Sequence, residues 1–231
     1  MADSVTSKGF RAGELRGGRR LTLCRTHAYG VINRLVEYRR RRLGGPGEES
    51  ERVDETPHRQ ESPAERHRRI ASGFAAAVAS TKDWDAPTPV PEWTARDVVA
   101  HLAGWFPPFL KDGSGIQLPA GPSVAEDPAA AWQHHESAVQ AVLDDPNTAE
   151  RTFAHPRLPQ LPLAEAIDQF YTTDVLMHTW DLARAGGLDH GLDPDECAEI
   201  LTGMLPMDEV LRRSGQYGPK QSVGDDAGPV E

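Results

Sequence analysis

An all-α fold, a four-helix bundle with one or two short accessory helices near the C-terminus, is what this sequence predicts, and three observations carry the prediction. Apolar residues recur at three- and four-residue spacing in four separate stretches after Ser62. Capping residues and Pro/Gly-rich connections bound these stretches where helices should begin and end. No stretch shows the strict apolar–polar alternation of a half-buried strand, and the chain has no internal repeat.

The elements follow in order. In "SPAE", Ser62 is the N-cap, Pro63 takes the first helical position and Glu65 closes a capping box. Ile70, Phe74 and Val78 then make the apolar stripe of helix one, over 63–80. "DWDAPTPVPEW" cannot continue a helix. Thr94 and Asp97 form a second capping box, opening helix two with Val98, Leu102 and Trp105 inward and His101 within that stripe. Pro107-Pro108 should end or sharply kink it. After the Gly/Pro-rich "KDGSGIQLPAGPSVAE", Asp127 caps helix three, Pro128 starts it, and Trp132, Val139 and Val142 face inward. Helix four runs from about Leu163 to Ala185 and stops at Gly186-Gly187. "LDPDECAEILTGM" adds a shorter helix after the Asp193 cap, and "MDEVLRRSG" adds a turn or two.

Charge divides the chain. Residues 1–61 hold 13 Lys and Arg against 9 Asp and Glu, whereas residues 62–231 hold 12 against 26. The first part, with Arg, Gly and Glu mixed without sustained apolar period, reads as a disordered basic extension; a start near Val53 is an alternative reading of the N-terminus. Within it, "LCRTHAYGVINRLVEY" suits a short amphipathic helix, and "RRRR" at 39–42 is more simply a solvated run than a nucleic-acid or membrane contact. The bundle is expected over 62–213, followed by a flexible tail over 214–231. Its acidity argues against a nucleic-acid partner. No run of about 18 apolar residues exists to span a membrane, and no apolar signal core marks secretion. The two cysteines, Cys24 and Cys197, exclude a disulfide scaffold or a Cys-rich zinc site and fit a reducing cytosol, so a cytoplasmic location is expected.

Helix four raises the question of function. In a straight helix Ile167, Phe170, Tyr171, Asp174, His178, Asp181 and Ala185 share about a third of the circumference, so two carboxylates lie on an apolar stripe. Something positive should face them. Asp174 and His178, spaced i, i+4, emerge from one face a turn apart, as two ligands of one metal ion must. His101 on helix two would supply a third. Two imidazoles and a carboxylate suit zinc or another divalent transition ion and leave a coordination position open. Asp181, a turn beyond His178, would orient an imidazole from behind. A plain Asp–His hydrogen bond is the simpler alternative for the same spacing. His67, His134 and His135 compete as inward histidines, His67 more simply as a satisfied core residue. Trp105, Trp132 and Trp180 read as packing rather than a substrate box, and Glu136 and Asp168 as solvated surface.

"VPEWTARDVVAHLAGW", followed some 70 residues later by "FYTTDVLMHTWDLARAGG", resembles the DinB-like superfamily. More closely, it resembles the mycothiol-dependent maleylpyruvate isomerase family in its compact, single-domain bacterial branch, over roughly residues 64–219. The resemblance implies a DinB-like four-helix bundle with a divalent metal, usually zinc, held at positions that here are His101, Asp174 and His178. It further implies mycothiol as cofactor: the metal activates a small-molecule thiol for addition to a small electrophilic substrate, in an isomerase or S-transferase reaction. A metal-dependent hydrolase using activated water and a non-catalytic metal- or ligand-binding bundle are the alternatives. Two departures stand out. The isomerase has Glu where this chain has Asp174, and only about 45 residues follow helix four, too few for the isomerase's second α+β domain plus the expected helices. No residue marks itself as a dedicated general acid or base, and none indicates the oligomeric state.

Overall fold

Ser62 opens the first helix as its local chemistry dictates: its hydroxyl accepts from the Glu65 backbone N–H, and the Glu65 carboxylate accepts from the Ser62 backbone in return. In the computed structural model, which describes residues 61–155, 158–213, 217–224 and 226–230, this helix is α1, Pro63–Ser80. The expected N-terminal extension, with its short helix and arginine run, lies outside the described residues except for Glu61, which pairs with Arg69 at 2.8 Å. The fold is all-α and consistent with a DinB-like bundle.

α2, Ala95–Ser114, begins where the Asp97 carboxylate accepts from both the backbone N–H and the hydroxyl of Thr94, at 2.8 and 2.7 Å. It does not end at Pro107-Pro108. Proline removes two backbone N–H groups and so frees the carbonyls of Ala103 and Gly104, but those residues are half-buried and exposed, within reach of water. Beyond the prolines, Phe109 and Leu110 extend the buried face set by Leu102 and Phe106, and this burial carries the helix onward. α3, Pro128–Asp144, is capped by Asp127, which accepts from the Ala130 N–H at 3.0 Å. A single turn, α4 (Pro146–Ala149), leads to a two-residue antiparallel ladder between β1 (Thr152–Phe153) and β2 (Leu161–Pro162), too short to leave an alternation in the sequence. Gly113 of α2 makes room for this ladder: a Cβ there would lie 2.1 Å from Cε2 of the buried Phe153 ring. Gly113→Ala should therefore cost about 1–3 kcal/mol through overpacking, read as a lowered denaturant midpoint.

The last long helix has three parts: α5 (Leu163–Ala166), a π-helical turn at Ile167–Thr172, and α6 (Thr173–Gly186), which ends on Gly187 in the left-handed region at φ 61°. α7 (Pro194–Met204), capped by Asp193, a 3₁₀ turn and α8 (Asp208–Arg213) follow. α1 packs along α3 and α6, and α2 packs along the same two helices. α1 and α2 therefore sit across the bundle from each other, and the Pro-rich connection crosses between them. Phe74, Leu102, Phe106, Trp132, Tyr171 and Leu182 are fully enclosed at the centre. Among the described residues no helix is long and apolar enough to cross a membrane.

Candidate metal centre

The π-turn decides where the helix-four side chains point. Before and within it, Leu163, Ile167, Phe170 and Tyr171 face the core. After it, the buried positions are Val175, Leu176, Thr179, Leu182 and Ala183 rather than the expected Asp174, His178 and Asp181. A wider turn accommodates one extra residue and rotates everything downstream by about 100° relative to a straight α-helix. Asp174, His178 and Asp181 thus move from the middle of the apolar stripe to its flank, along the α2–α6 seam. They keep side-chain exposures of 18%, 13% and 14%, neither sealed in the core nor free in solvent.

His101 meets them from α2. Its Nε2 lies 3.2 Å from Asp174 Oδ2, and His178 Nε2 lies 3.6 Å from Asp174 Oδ1. One donor atom from each of His101, Asp174 and His178 falls within 4.8 Å of the others, and among the described residues this is the group of three such donors that converges. Ligands sharing a tetrahedral ion with bonds of about 2.1 Å stand roughly 3.4 Å apart; the two His–Asp separations lie near that spacing, so the group could hold a metal ion. Burial pushes the Asp174 carboxyl up, but the neighbouring His178 and the hydrogen bonds from His101 and Trp105 outweigh it and hold it below its ordinary value. Burial likewise disfavours the charged His178, and the charge of Asp174 with the hydrogen bond to Asp181 overrides it and raises its pKa. The cluster is charge-coupled without any lysine or arginine in these contacts.

Asp181 stands where the spacing expects it, its Oδ2 2.8 Å from His178 Nδ1. This contact turns Nε2 of His178 toward Asp174. If the three donors hold a metal ion, Asp181→Asn should weaken its binding about 10–100-fold, measured by competition against a chromogenic chelator, with little change in fold. Two aromatic neighbours were not legible as parts of the site. Trp93, from the connection before α2, packs against both imidazoles, with ring centroids 5.0 Å from His101 and 5.7 Å from His178. Trp105, expected only to pack, also donates from Nε1 to Asp174 Oδ2 at 2.9 Å. Their signal was present in the sequence as "VPEW" and "AGW", but nothing local shows that a connection residue folds back over helix two.

The other histidines lie elsewhere. His67 is a core residue bonded through Nδ1 to Gln140 Oε1 at 2.8 Å, His134 lies 3.3 Å from the Pro119 carbonyl, and His135 is buried between α3 and the core. Trp132 is core, whereas Trp180 is partly exposed beneath the Arg184 guanidinium. One surface expectation fails. Asp168 is buried and ion-paired to Arg66 at 2.6 Å, because the π-turn faces α1. Glu136 is half-buried on the wall between α1 and α3, where burial raises its carboxyl pKa.

Comparison with known proteins adds the following. Residues 37–111 match the family described as "Mycothiol maleylpyruvate isomerase N-terminal domain". That stretch includes His101 and ends before Asp174 and His178. "Uncharacterized protein MT0763" of Mycobacterium tuberculosis (strain CDC 1551 / Oshkosh) is 36% identical over 144 residues, 58% of this chain and 73% of the relative. "Uncharacterized protein Rv0738" of strain ATCC 25618 / H37Rv matches with the same identity and coverage. No solved structure matches the chain.

Proposed function

Because this chain belongs to the mycothiol maleylpyruvate isomerase N-terminal domain family, we propose that His101, Asp174 and His178 hold one divalent metal ion, zinc by its donor set, and that the centre serves a thiol-dependent isomerase or S-transferase reaction on a small electrophile. The observation that carries this reading is the convergence of three donor atoms from two helices within 4.8 Å. A divalent ion held with a position open acts as a Lewis acid and lowers the pKa of a thiol such as mycothiol toward the neutral range.

The chain's own residues have separable tasks. His101 and His178 offer imidazole lone pairs from opposite sides of the α2–α6 seam, and Asp174 offers the one negative charge, which offsets half that of a divalent ion. Asp181 fixes the His178 ring. Trp93 and Trp105 wall the cluster with apolar surface, which restricts water and strengthens each electrostatic contact inside. The cluster remains partly exposed, so a small thiol and its electrophile have a route in from the seam.

Elemental analysis of the full chain, purified without chelator, tests the metal. One zinc or other divalent ion per chain supports the reading, and protein that neither retains nor takes up a stoichiometric ion overturns it. Incubating the metal-loaded protein with mycothiol and a panel of electrophiles then tests the chemistry. Thiol-dependent turnover above the metal-free control is expected. Hydrolysis without thiol would instead assign a hydrolase, and a bound metal with neither activity a binding bundle.

A further inference from the structure

On the far side of Tyr171 from the candidate metal centre lies a second polar group that the proposed reaction does not use. His67 from α1, His135 from α3 and Tyr171 from the π-turn are 1%, 7% and 0% exposed. Their rings meet: His67 and Tyr171 stack with centroids 6.0 Å apart, and His135 meets Tyr171 edge-on at 5.6 Å. Three polar atoms of these side chains, His67 Nε2, His135 Nε2 and Tyr171 Oη, are buried and make no hydrogen bond to protein, as is true of Trp132 Nε1 beside His135. Buried polar groups in native proteins almost always have partners. Of six such atoms among the described residues, these four belong to rings in mutual contact, and they point to a shared ligand.

The donor and acceptor inventory identifies its class. Gln140 donates from Nε2 to the Ala64 carbonyl at 3.2 Å and to Asp144 at 2.9 Å, which fixes its amide with Oε1 toward His67. His67 must then donate from Nδ1, so its Nε2 is a bare lone pair. Trp132 Nε1 can only donate, and the Tyr171 hydroxyl does both. A ligand here has to donate to one ring and accept from another. Burial pushes His67 below its ordinary pKa and His135 down to about 4, while burial and the charges of Asp174 and Glu136 push Tyr171 up. All three are neutral near pH 7. Neutral rings do not attract an anion, and no carboxylate is bonded to the orphaned atoms to balance a cation.

We propose that the interior of the bundle binds ordered water at a site formed by His67 Nε2, His135 Nε2 and Tyr171 Oη. Water meets the inventory, and a bridging molecule gives each orphan a partner. A groove between α1 and α3, lined by Arg68, Ser72, Glu136, Ser137, Gln140 and Asp144, lies outside this layer, and Gln140 belongs to both the groove and the His67 contact. The site shares a wall with the candidate metal centre: Tyr171 packs on Trp105 at 6.0 Å, and Trp105 donates to Asp174.

A crystal structure of the full chain, at a resolution that defines ordered solvent, tests this. A water peak within about 3.2 Å of His67 Nε2 and of Tyr171 Oη or His135 Nε2 is expected. A direct Tyr171–His67 hydrogen bond with no density between the rings, or an anomalous scatterer at that place, overturns the proposal. Long-range ¹H–¹⁵N correlation of the imidazoles supplies an independent reading without any substitution. His67 should hold the neutral Nδ1–H tautomer near pH 7, and an Nε2–H or doubly protonated ring overturns the assignment.

Discussion

With a metal held as proposed, His178→Ala should reduce it from one ion per chain to background and weaken metal affinity by more than about 100-fold. The comparison that sets this scale is loss of an outer hydrogen-bond partner, which alone costs about 10–100-fold. His178 is one of three donors, and its removal leaves only His101 and Asp174, a pair already within 3.2 Å of each other and able to close into a simple hydrogen bond. The substitution also deprives Asp181 of its 2.8 Å contact, so a control must separate ligand loss from misfolding. Far-ultraviolet circular dichroism should show an unchanged helical signal. Tryptophan emission gives a second readout, because Trp93 packs on both imidazoles and should respond to metal in the native chain but not in the variant. Native-like zinc affinity in His178→Ala would remove this residue from the centre.

Arg66→Ala should destabilise the fold by about 3–5 kcal/mol, the range for breaking a buried ion pair from one side. Arg66 bonds Asp168 at 2.6 Å and Glu196 at 2.8 Å, joining α1 to the π-turn and to α7, and its side chain is 17% exposed against 9% for Asp168. Burial opposes the charge on Arg66, but Asp168 and Glu196 together raise its pKa further. Removing the guanidinium strips Asp168 of that charge partner inside the protein, while Glu196 retains Arg69 at 2.9 Å. Urea unfolding measures the loss. The paired substitution Arg66→Met with Asp168→Leu should recover most of it, since apolar groups of similar volume often replace a buried pair without penalty. A single-variant loss below about 1 kcal/mol would place this contact among ordinary surface ion pairs.

The capping residues that start and stop helices act through their immediate neighbours, and for that reason the sequence was sufficient for them, Pro107-Pro108 being the failed stop. Ser62 with Glu65, Thr94 with Asp97, Asp127, Asp193 and Gly187 all make the contacts their spacing implies. The i, i+4 relation of Asp174 and His178, and the reach of Asp181 to His178, belong to the same class, because one helix supplies both partners. His101 was recognisable through its motif and its place on helix two. What lay beyond a local reading depends on residues remote in the chain: Asp168 is buried only because Arg66 lies opposite, and α2 runs through Pro107-Pro108 because Phe109 and Leu110 have a core to enter.

By itself, then, the amino-acid order determined the helical class, most helix ends and the one-turn spacing of Asp174, His178 and Asp181, since each follows from backbone hydrogen bonding and from periodicity within one segment. Tertiary structure decided the rest: the placement of α1 opposite α2, the return of Trp93 over the imidazoles, and the rotation at Ile167–Thr172 that carries Asp174 and His178 to the α2–α6 seam. The physical reason is that a π-turn costs local hydrogen-bond geometry and persists only where packing on both sides of it compensates. Here Phe170 within the turn and Thr179 after it are both buried, although a straight α-helix would set residues nine apart on opposite faces.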